Sequence, residues 1–411
     1  MYNFYTKEVS QIKKIIFHVD VNSAYLSWTS ITRMQQGDSV DLRTIPSIIG
    51  GDISKRRGVV LAKSLPAKKF GVRTGEPVTD ALKKCPSLVS VAPDHELYAR
   101  YSHSMIELLK KYSPTVLKYS IDECFMEYSP VEGDEGDPVK AAHIIKDVIR
   151  DTLGFTVNIG VSTNRLLAKM ASDFKKPDLV HTLFPEEIQV KMWPLPIEDL
   201  FMVGSASAHR LHLLGVKTIG DLARMDPEII VSHLKSHGRT IWEYANGLEI
   251  SQLDTRFKES KGIGNSTTIS HDVTNADEAK KILLDLAESV GKRLRAAAYM
   301  AGMVSVEIKY YTFENYSHQM QLNPPTNATH DIHTAACVLF DELWNGDGIR
   351  LLGIRTSKLT TGEIQQLTLF DQTENDKYRK LDSALDSIRK KYGDGAVVRG
   401  SKLEFNEFIK D

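Results

Sequence analysis

The order of elements in the N-terminal part of the chain constrains the fold more than any other feature of the sequence. Apolar runs typical of buried strands cover 13–21 and 155–162, and two further strand-like runs meet in a predicted hairpin around 122–123. Segments with the apolar spacing of amphipathic helices separate these strands. When an inserted stretch of short elements at about 39–93 is set aside, the order is the βαββαβ of a ferredoxin-like sheet.

Two adjacent carboxylates, Asp122 and Glu123, lie between the two runs of the predicted hairpin. Like charges at this separation raise each other's pKa unless a positive charge lies beside them. Asp20 ends the first predicted strand, and the ferredoxin-like order lets that strand end lie beside the hairpin turn. Three converging carboxylates would hold two Mg²⁺ ions roughly 3.5–4 Å apart, because Mg²⁺ prefers oxygen ligands. The alternative is a solvated turn with two acids.

The rest of the chain has a different character. Short helical segments punctuated by glycine begin near Trp193, and a polar stretch at 256–262 is typical of an exposed linker. A mixed pattern follows, which predicts a separate α+β domain. In that domain we expect strands at 266–270, 303–313 and 349–360 and helices at about 277–299 and 334–344.

The C-terminal tail carries a short amphipathic pattern. Four apolar residues of the tail have helical spacing: Leu381, Leu385, Ile388 and Tyr392. An interaction helix and an intramolecular dock are both open as its role.

Charge and cysteine content exclude several classes of protein. The formal net charge is −1, so any nucleic-acid-binding surface must be local. No apolar run approaches the ~18 residues that span a bilayer, and we find no pattern of a secretory signal. Cys85, Cys124 and Cys337 lie far apart without a CxxC pair, so neither a disulfide framework nor a zinc site is indicated. We therefore expect a cytoplasmic protein with no membrane contact.

Four segments of the sequence together carry a family resemblance. In chain order they read HVDVNSAYLSW, RRGVVLAKSLPAKKFGVRTGEP, YSIDECF and GVSTNRLLAKMASDFKKP. Their combination and spacing resemble the Y-family, or translesion, DNA polymerases, and the resemblance covers about 13–370. It implies an α+β multidomain, right-hand polymerase with a ferredoxin-like palm, a small fingers insert, a helical helix–hairpin–helix thumb and an α+β little finger.

The resemblance also implies domain boundaries. We predict the palm at 1–30 and 93–186, the fingers at 31–92, the thumb at 187–255, the linker at 256–262, the little finger at 263–365, and a clamp-binding peptide with the C-terminal tail at 366–411. Backbone amides of the thumb would hold DNA phosphates, and the little-finger sheet would lie along the DNA.

The palm positions of the resemblance carry the chemistry. In the family, an Asp on the first strand and an Asp–Glu pair on the hairpin bind two metal ions. This implies catalytic and metal-binding roles for Asp20, Asp122 and Glu123. A backbone carbonyl after the first Asp completes the metal shell in the family, which implies the carbonyl of Val21. The expected cofactor is a pair of Mg²⁺ ions, with Mn²⁺ as a substitute.

Two further positions are implied to bind the incoming nucleotide. Tyr25 occupies the place of an aromatic steric gate, whose ring collides with a ribose 2′-hydroxyl and so selects deoxynucleotides. A tyrosine of the helix core is the alternative. Lys176 falls where the family places a lysine on the triphosphate, a role that suits a compact positive charge.

The fingers contain the main departure from the family pattern. Many members have a Tyr and an Arg in a YxxR pattern before KFGV, and both contact the triphosphate. Here Leu65 and Lys68 take these places, and Lys63 is an added positive charge that would compensate as a triphosphate-binding residue. The departure resembles the polymerase V-like branch more than the polymerase IV branch.

A pentapeptide, QLTLF, follows the last predicted strand. It resembles the bacterial sliding-clamp-binding peptide, in which apolar side chains fill a pocket and Gln makes directional hydrogen bonds. The clamp-binding residues would be Gln366, Leu367, Leu369 and Phe370. The alternative is a short strand that packs back on its own domain.

Together these features predict an error-prone, template-directed DNA polymerase for translesion synthesis. Its partners would be primer–template DNA, dNTP and the sliding clamp, and it would be a monomer; accessory recombinase subunits are left open. Two rivals remain: a non-catalytic DNA- and clamp-binding accessory protein on the same scaffold, and another palm-type enzyme such as a nucleotide cyclase.

Overall fold

The computed structural model describes residues 14–51, 58–130, 132–249, 260–361 and 372–397. Contacts divide the described residues into two compact units: the first contains 14–51 and the described part of 59–249, and the second contains Gly58, 260–361 and 372–397. Most of the predicted linker lies outside the described residues, and its last residue, Gly262, begins a strand. The predicted domain boundaries remain predictions. No helix within the described ranges is long and apolar enough to cross a membrane.

The first unit contains the predicted palm, fingers and thumb segments. Its strands are β1 (Ile16–Val21), β2 (Ser47–Gly50), β3 (Val60–Lys63), β4 (Val89–Val91), β5 (Val116–Lys118), β6 (Glu123–Glu127), β7 (Val157–Ser162) and β8 (Val180–Thr182). Its α-helices are α1 (Ala24–Gln35), α2 (Leu65–Lys69), α3 (Val78–Lys84), α4 (His95–Leu109), α5 (Pro138–Leu153), α6 (Arg165–Ser172), α7 (Ser205–Leu213), α8 (Ile219–Arg224) and α9 (Pro227–Ala245).

β1 is the central strand of a five-stranded sheet with the order β5-β6-β1-β7-β8. It runs antiparallel to β6 and to β7, and all six of its residues are buried. Because side chains alternate along a strand, Phe17 and Val19 face a core shared with α1, α4 and α5, and His18 and Asp20 face the opposite side. The predicted ferredoxin-like order is confirmed, with β8 added at one edge.

α6 packs very closely on the side of the sheet that His18 faces. A Cβ added to Gly160 of β7 would lie 1.9 Å from the carbonyl oxygen of Ala168 in α6. Only glycine allows this approach. His18 also reaches this helix, because its Nδ1 lies 2.7 Å from the hydroxyl of Ser172.

The inserted segment forms a small sheet of its own, with the order β3-β2-β4. Its core consists of few side chains, among them Ile48, Val60, Val72 and Val78. The Ser64 hydroxyl caps α2 by accepting from the Ala67 backbone N–H at 3.1 Å, and it donates to the carbonyl of Ile45 at 2.7 Å. These bonds fix the junction between β3, which ends at Lys63, and α2, which carries Lys68.

Helices α7, α8 and α9 form a third part of this unit. Their core includes Met192, Leu211, Ile219 and Ile241, and it extends to Leu167 and Met170 of α6. Thr218 and Asp221 form a capping box at the start of α8. α9 is interrupted at Lys235, whose φ of 58° is left-handed.

The second unit is an α+β domain, as predicted. Its strands are β9 (Gly262–Val273), β10 (Met300–Tyr310), β11 (Asn315–Thr326) and β12 (Ile349–Thr360), and its α-helices are α10 (Ala276–Ala296), α11 (Thr329–Leu343) and α12 (Gln372–Tyr392). The sheet order is β11-β10-β12-β9, with every neighbouring pair antiparallel. α10 and α11 pack on it around Leu283, Val304 and Phe340.

The sequence does not predict β11, and it places the start of α11 five residues late, at Thr334 instead of Thr329. β11 is an edge strand whose first half is exposed and polar, and it contains Pro324 and Pro325. It therefore lacks the apolar alternation that marks a strand. Pairing with β10 determines this strand.

α12 docks on its own domain, which is one of the two roles left open for the tail; a role as an interaction helix stays untested. Arg295 of α10 donates to Asp386 at 2.6 Å and to Asp382 at 3.1 Å, and the rings of His330 and Tyr378 stack with centroids 4.0 Å apart. The docking face is thus largely charged. The apolar stripe lies elsewhere on the helix, and Leu381 is 46% exposed.

Candidate active site

The three predicted carboxylates lie where β1 ends beside the β5–β6 hairpin. Asp20 and Glu123 are direct cross-strand partners, and the backbone N–H of Val21 donates to the carbonyl of Asp122 at 3.1 Å. Ser120 shapes the turn, because its hydroxyl donates to the Asp122 carboxylate at 2.6 Å and accepts from the Glu123 backbone N–H at 3.1 Å. The structure therefore brings the backbones of all three acids to one end of the sheet.

Two lysines of the first unit pair with these acids. Lys176 forms an ion pair with Asp20, and Lys169 donates to Glu123 at 2.9 Å. Nε2 of His18 lies 3.4 Å from the Glu123 carboxylate, which makes it a longer contact than that of Lys169. In the part of the chain that the structure describes, no three His, Cys, Asp or Glu side chains are grouped so as to hold a metal ion. The expected convergence of the carboxylate side chains is thus not seen in this arrangement.

The electrostatic environments of Asp20 and Glu123 differ. Burial raises the pKa of Asp20, and the charge of Lys176 only partly opposes that effect. Burial also disfavours the charged form of Glu123, but its contacts with His18 and Lys169 lower the pKa of Glu123 to about 2. Glu123 is therefore ionised at neutral pH, and its charge is balanced by the ammonium of Lys169.

The chemistry of this site fits divalent metal ions. The donors available are carboxylate oxygens and the backbone carbonyl of Val21, which are the ligands that Mg²⁺ and Mn²⁺ prefer. The buried Asp20 and the half-buried Glu123 already attract a cation in the structure, the ammonium groups of Lys176 and Lys169. A hard cation would serve the same electrostatic purpose at higher charge.

A cleft of ≈ 650 Å³ opens between the end of β1, the start of α1 and the fingers. It gathers the four residues expected to bind the nucleotide, Tyr25, Lys63, Lys68 and Lys176, together with Asp122, an expected metal ligand. Leu65 also lines it, at the place of the family's Tyr, and is 56% exposed. The cleft is thus positively charged on the fingers side and carries an acid on the palm side.

The ring of Tyr25 is held in a fixed orientation. It stacks on Tyr98 of α4, with centroids 4.2 Å apart and planes at 7°, and His95 contacts it edge-on. Burial raises the pKa of Tyr25, and the nearby charge of Asp122 adds to this effect. Tyr25 therefore presents a neutral, packed aromatic wall to the cleft.

The lysines of the fingers are placed for an anion. Lys63 donates to the hydroxyl of Thr74 at 3.1 Å, and its pKa is lowered by burial and by the nearby charge of Lys68. Two neighbouring lysines that repel each other favour an anion bound beside them.

Several residues of the site were not identified from the sequence. Lys169 lies in the quoted AKMASDFKKP segment, but its spacing gives no sign that it contacts Glu123. Its ammonium also lies 5.6 Å from the ring centroids of Tyr119 and Phe201. Arg43, which lines the cleft and pairs with Asp41 at 2.8 Å, had no signal in the sequence. The QLTLF peptide, 366–370, lies outside the described residues.

Comparison with known proteins identifies the family. Residues 19–173 match the impB/mucB/samB family, and residues 260–369 match the C-terminal domain of that family. A protein of Clostridium acetobutylicum named DNA polymerase IV is 48% identical over 96% of this chain and 100% of its own length. A DNA polymerase IV of Acetivibrio thermocellus is 35% identical over 96% and 98%, and DNA polymerase IV 2 of Bacillus subtilis is 34% identical over 95% and 95%.

A solved structure supports the fold. A Y-family DNA polymerase chimera matches 84% of this chain and 99% of its own chain, with a TM-score of 0.71 and 20% identity. At this identity the likeness concerns the fold alone. It agrees with the palm, fingers, thumb and little-finger architecture expected from the sequence.

The fold and the charged cleft define a nucleotide-polymerising enzyme with a palm and small fingers. The chain belongs to the impB/mucB/samB family, the Y-family of DNA polymerases. It is a DNA-directed DNA polymerase of the translesion type, as predicted, and the accessory-protein and cyclase alternatives are set aside. The expected closeness to the polymerase V-like branch is not supported, because these relatives are named polymerase IV. Leu65 and Lys68 therefore do not mark the branch.

Proposed function

We propose that this enzyme extends primers by two-metal nucleotidyl transfer in the cleft between palm and fingers. The primer 3′-hydroxyl attacks the α-phosphate of a dNTP, a new P–O bond forms, the bond to the β-phosphate breaks, and pyrophosphate leaves. Asp20, Asp122, Glu123 and the carbonyl of Val21 would hold the two ions, with Mg²⁺ expected and Mn²⁺ as a substitute. Bound ions lower the pKa of the attacking hydroxyl and stabilise charge on the phosphates.

This proposal is supported most by the content of the cleft. One cavity of ≈ 650 Å³ is lined by an acid at the hairpin turn, an aromatic ring and three lysines from two separate segments. A deoxynucleoside triphosphate needs a counter-charge for its phosphates, a wall beside its sugar and an acid near the α-phosphate. The elements of the unit that are far apart in sequence meet in this cleft.

Lys176 would change partners when a nucleotide binds. In the structure its ammonium pairs with Asp20 and, at 2.8 Å, with Asp173. A triphosphate carries more negative charge than either carboxylate and would compete for this ammonium. Transfer of Lys176 to the triphosphate would leave Asp20 free to bind metal.

Tyr25 would exclude ribonucleotides. Its stacking on Tyr98 holds the ring rigidly, so the ring does not move away from an added 2′-hydroxyl. Lys63 and Lys68 would bind the triphosphate from the fingers side, without the bidentate contacts that an arginine makes.

Primer–template DNA and dNTP are the substrates of such a polymerase, and further partners are proposed. The QLTLF peptide, Gln366 to Phe370, would bind the sliding clamp through Leu367, Leu369 and Phe370. The enzyme would act as a monomer in the cytoplasm, and accessory recombinase subunits are left open.

Primer extension by the wild type and by Asp122→Ala tests the mechanism. We expect the rate of the variant to fall at least about a thousandfold. The change removes a proposed ligand of the metal ions that stabilise charge in the transition state. Asp151→Ala is a matched control, since Asp151 is an exposed acid of α5 paired only with its neighbour Arg150 among the contacts of the described residues. Equal extension by wild type and Asp122→Ala would refute the mechanism.

A further inference from the structure

Two buried asparagines join the strand that carries Asp20 to the loop that carries Lys176. Asn158 lies on β7 as the cross-strand partner of Asp20 and is fully buried. Asn22 is the first residue after β1 and is 9% exposed. The Asn22 amide donates to the side-chain carbonyl of Asn158 at 3.1 Å, so the two side chains form one unit.

This pair holds the loop 173–179, called here the lysine loop, on the N-terminal side of Lys176. The side-chain amide of Asn158 donates to the backbone carbonyl of Lys175 at 2.7 Å and to that of Ser172 at 3.2 Å. The first of these bonds is made to the residue that directly precedes Lys176. The approach of the chain to Lys176 is therefore fixed from β7.

The same pair holds the lysine loop on the C-terminal side of Lys176. The backbone N–H of Asp178 donates to the side chain of Asn22 at 2.9 Å, and that of Leu179 donates to Asn158 at 3.3 Å. Asp178 and Leu179 are both half-buried, and the partners of both backbone N–H groups are side-chain amides. Four backbone groups around Lys176 thus bond to these two side chains, and the Lys175 carbonyl also lies 2.9 Å from Nε2 of His181.

The chemistry of the amide is what this arrangement requires. Asn158 uses both of its N–H groups as donors and its carbonyl oxygen as a double acceptor. An aspartate would place a carboxylate against the two backbone carbonyls, and a serine has a single donor. Asn158 is also the cross-strand partner of Asp20. Lys176 and Asp20 are therefore both positioned relative to β7.

We infer that Asn158, together with Asn22, is a positioning residue that sets the reach of Lys176 to the triphosphate of the incoming nucleotide. The inference rests on the triphosphate role proposed for Lys176 and deepens it. A lysine side chain is flexible, but the point from which it extends is not, and errors of about 1 Å at a reacting site are costly. The pair acts through Lys176: Asn158 is fully buried, and Asn22 lies at the edge of the cleft that it also lines.

The test measures nucleotide affinity separately from chemistry. Wild type, Asn158→Ala and Asn22→Ala bind a correct dNTP on a primer–template that ends in a dideoxynucleotide, so no transfer occurs. We expect affinity to fall about tenfold in each variant, and KM to rise more than kcat falls in steady-state incorporation. Affinity for primer–template DNA should stay within about twofold of the wild type. If Asn158→Ala does not fold, the same measurements on Asn22→Ala provide the test.

A double-mutant cycle shows whether the effect passes through Lys176. In a Lys176→Ala background, Asn158→Ala should lower dNTP affinity by less than about twofold, because the lysine it positions is gone. Ser162→Ala is the matched control: Ser162 is also fully buried on β7, and its hydroxyl donates to the carbonyl of Leu183, away from the lysine loop. It should lower stability without changing dNTP affinity.

The outcomes separate this inference from the proposed function. Wild-type dNTP affinity in folded Asn22→Ala and Asn158→Ala would overturn the inference alone. An equal loss from Asn158→Ala with and without Lys176 would also overturn it, since the effect would not pass through the lysine. Wild-type affinity in Lys176→Ala would overturn the triphosphate role and the inference together.

Discussion

Replacement of Arg295 by methionine should release α12 while the rest of the second unit stays folded. The Arg295 side chain is 12% exposed, and its partner Asp382 is 3% exposed. Arg295 also donates to both oxygens of Asp386, at 2.6 and 3.1 Å, and to the carbonyl of Asn327 at 2.8 Å. Loss of the guanidinium removes the positive charge of Arg295 from the buried carboxylate of Asp382.

The size of the effect follows from these contacts. Breaking a buried ion pair on one side costs about 3–5 kcal/mol. Asp382 still accepts from the backbone N–H of Thr329 at 2.7 Å, so we take the lower end of this range, about 3 kcal/mol. Other docking contacts include the His330–Tyr378 stack, the pair of Arg389 with Glu288 at 3.5 Å and a hydrogen bond from Arg379 to the Pro325 carbonyl at 3.5 Å. These contribute about 1 kcal/mol each, which is less than the loss.

Hydrogen exchange read by mass spectrometry measures this directly. We expect amide exchange in 377–392 to speed up by about a hundredfold or more, while β10 and α11 keep their protection. Lys280→Met is the control, because its pair with Asp341 is largely exposed and contributes at most about 1 kcal/mol. Unchanged protection of α12 in Arg295→Met would refute the electrostatic account of docking. Loss of protection throughout the domain would refute the claim that α12 is released while the rest of the domain stays folded.

Three further predictions concern the first unit and the clamp peptide. Tyr25→Ala should incorporate ribonucleotides at least about a hundredfold more readily relative to dNTP, and unchanged discrimination between dCTP and rCTP would remove the gate assignment. Changing Leu367 and Phe370 to Ala should abolish clamp binding and leave distributive synthesis intact; normal clamp affinity in a pull-down would contradict the peptide assignment. Hydrogen bonds from Arg43 hold the pKa of Asp41 at about 2, below its ordinary 3.8. The wild type should therefore have a higher free energy of unfolding than Asp41→Asn. In denaturant titrations this difference should be fully present above pH 3.8 and be lost as the pH falls through about 2. A difference that does not change with pH would contradict this account.

The palm could be predicted from the sequence because its signals are local. β1 and β7 are continuous apolar runs, and α4 and α5 carry clear apolar stripes. The position of the acids at the strand end also follows from element order. β11 could not be predicted, because its partner strand, and not its own composition, makes it a strand.

The side-chain arrangement of the site was less predictable than its backbone. Nothing in the spacing of Lys169 shows that it reaches Glu123, since that contact joins residues 46 positions apart. The docking face of α12 illustrates the same limit. Its apolar stripe suggested a buried face, yet the buried residue is Asp382, and Leu381 is exposed, because a charge partner on α10 outweighs the apolar pattern.

Gly160 shows how a residue without any chemistry can decide whether this enzyme works. A single added methyl group would meet the Ala168 carbonyl at 1.9 Å and the Ser172 nitrogen at 2.6 Å, so α6 would have to lift off the sheet. Lys169 belongs to that helix, so its ammonium would move away from Glu123. A saturation screen for loss of polymerase activity should therefore score position 160 as intolerant as the acids themselves, although it touches neither nucleotide nor DNA.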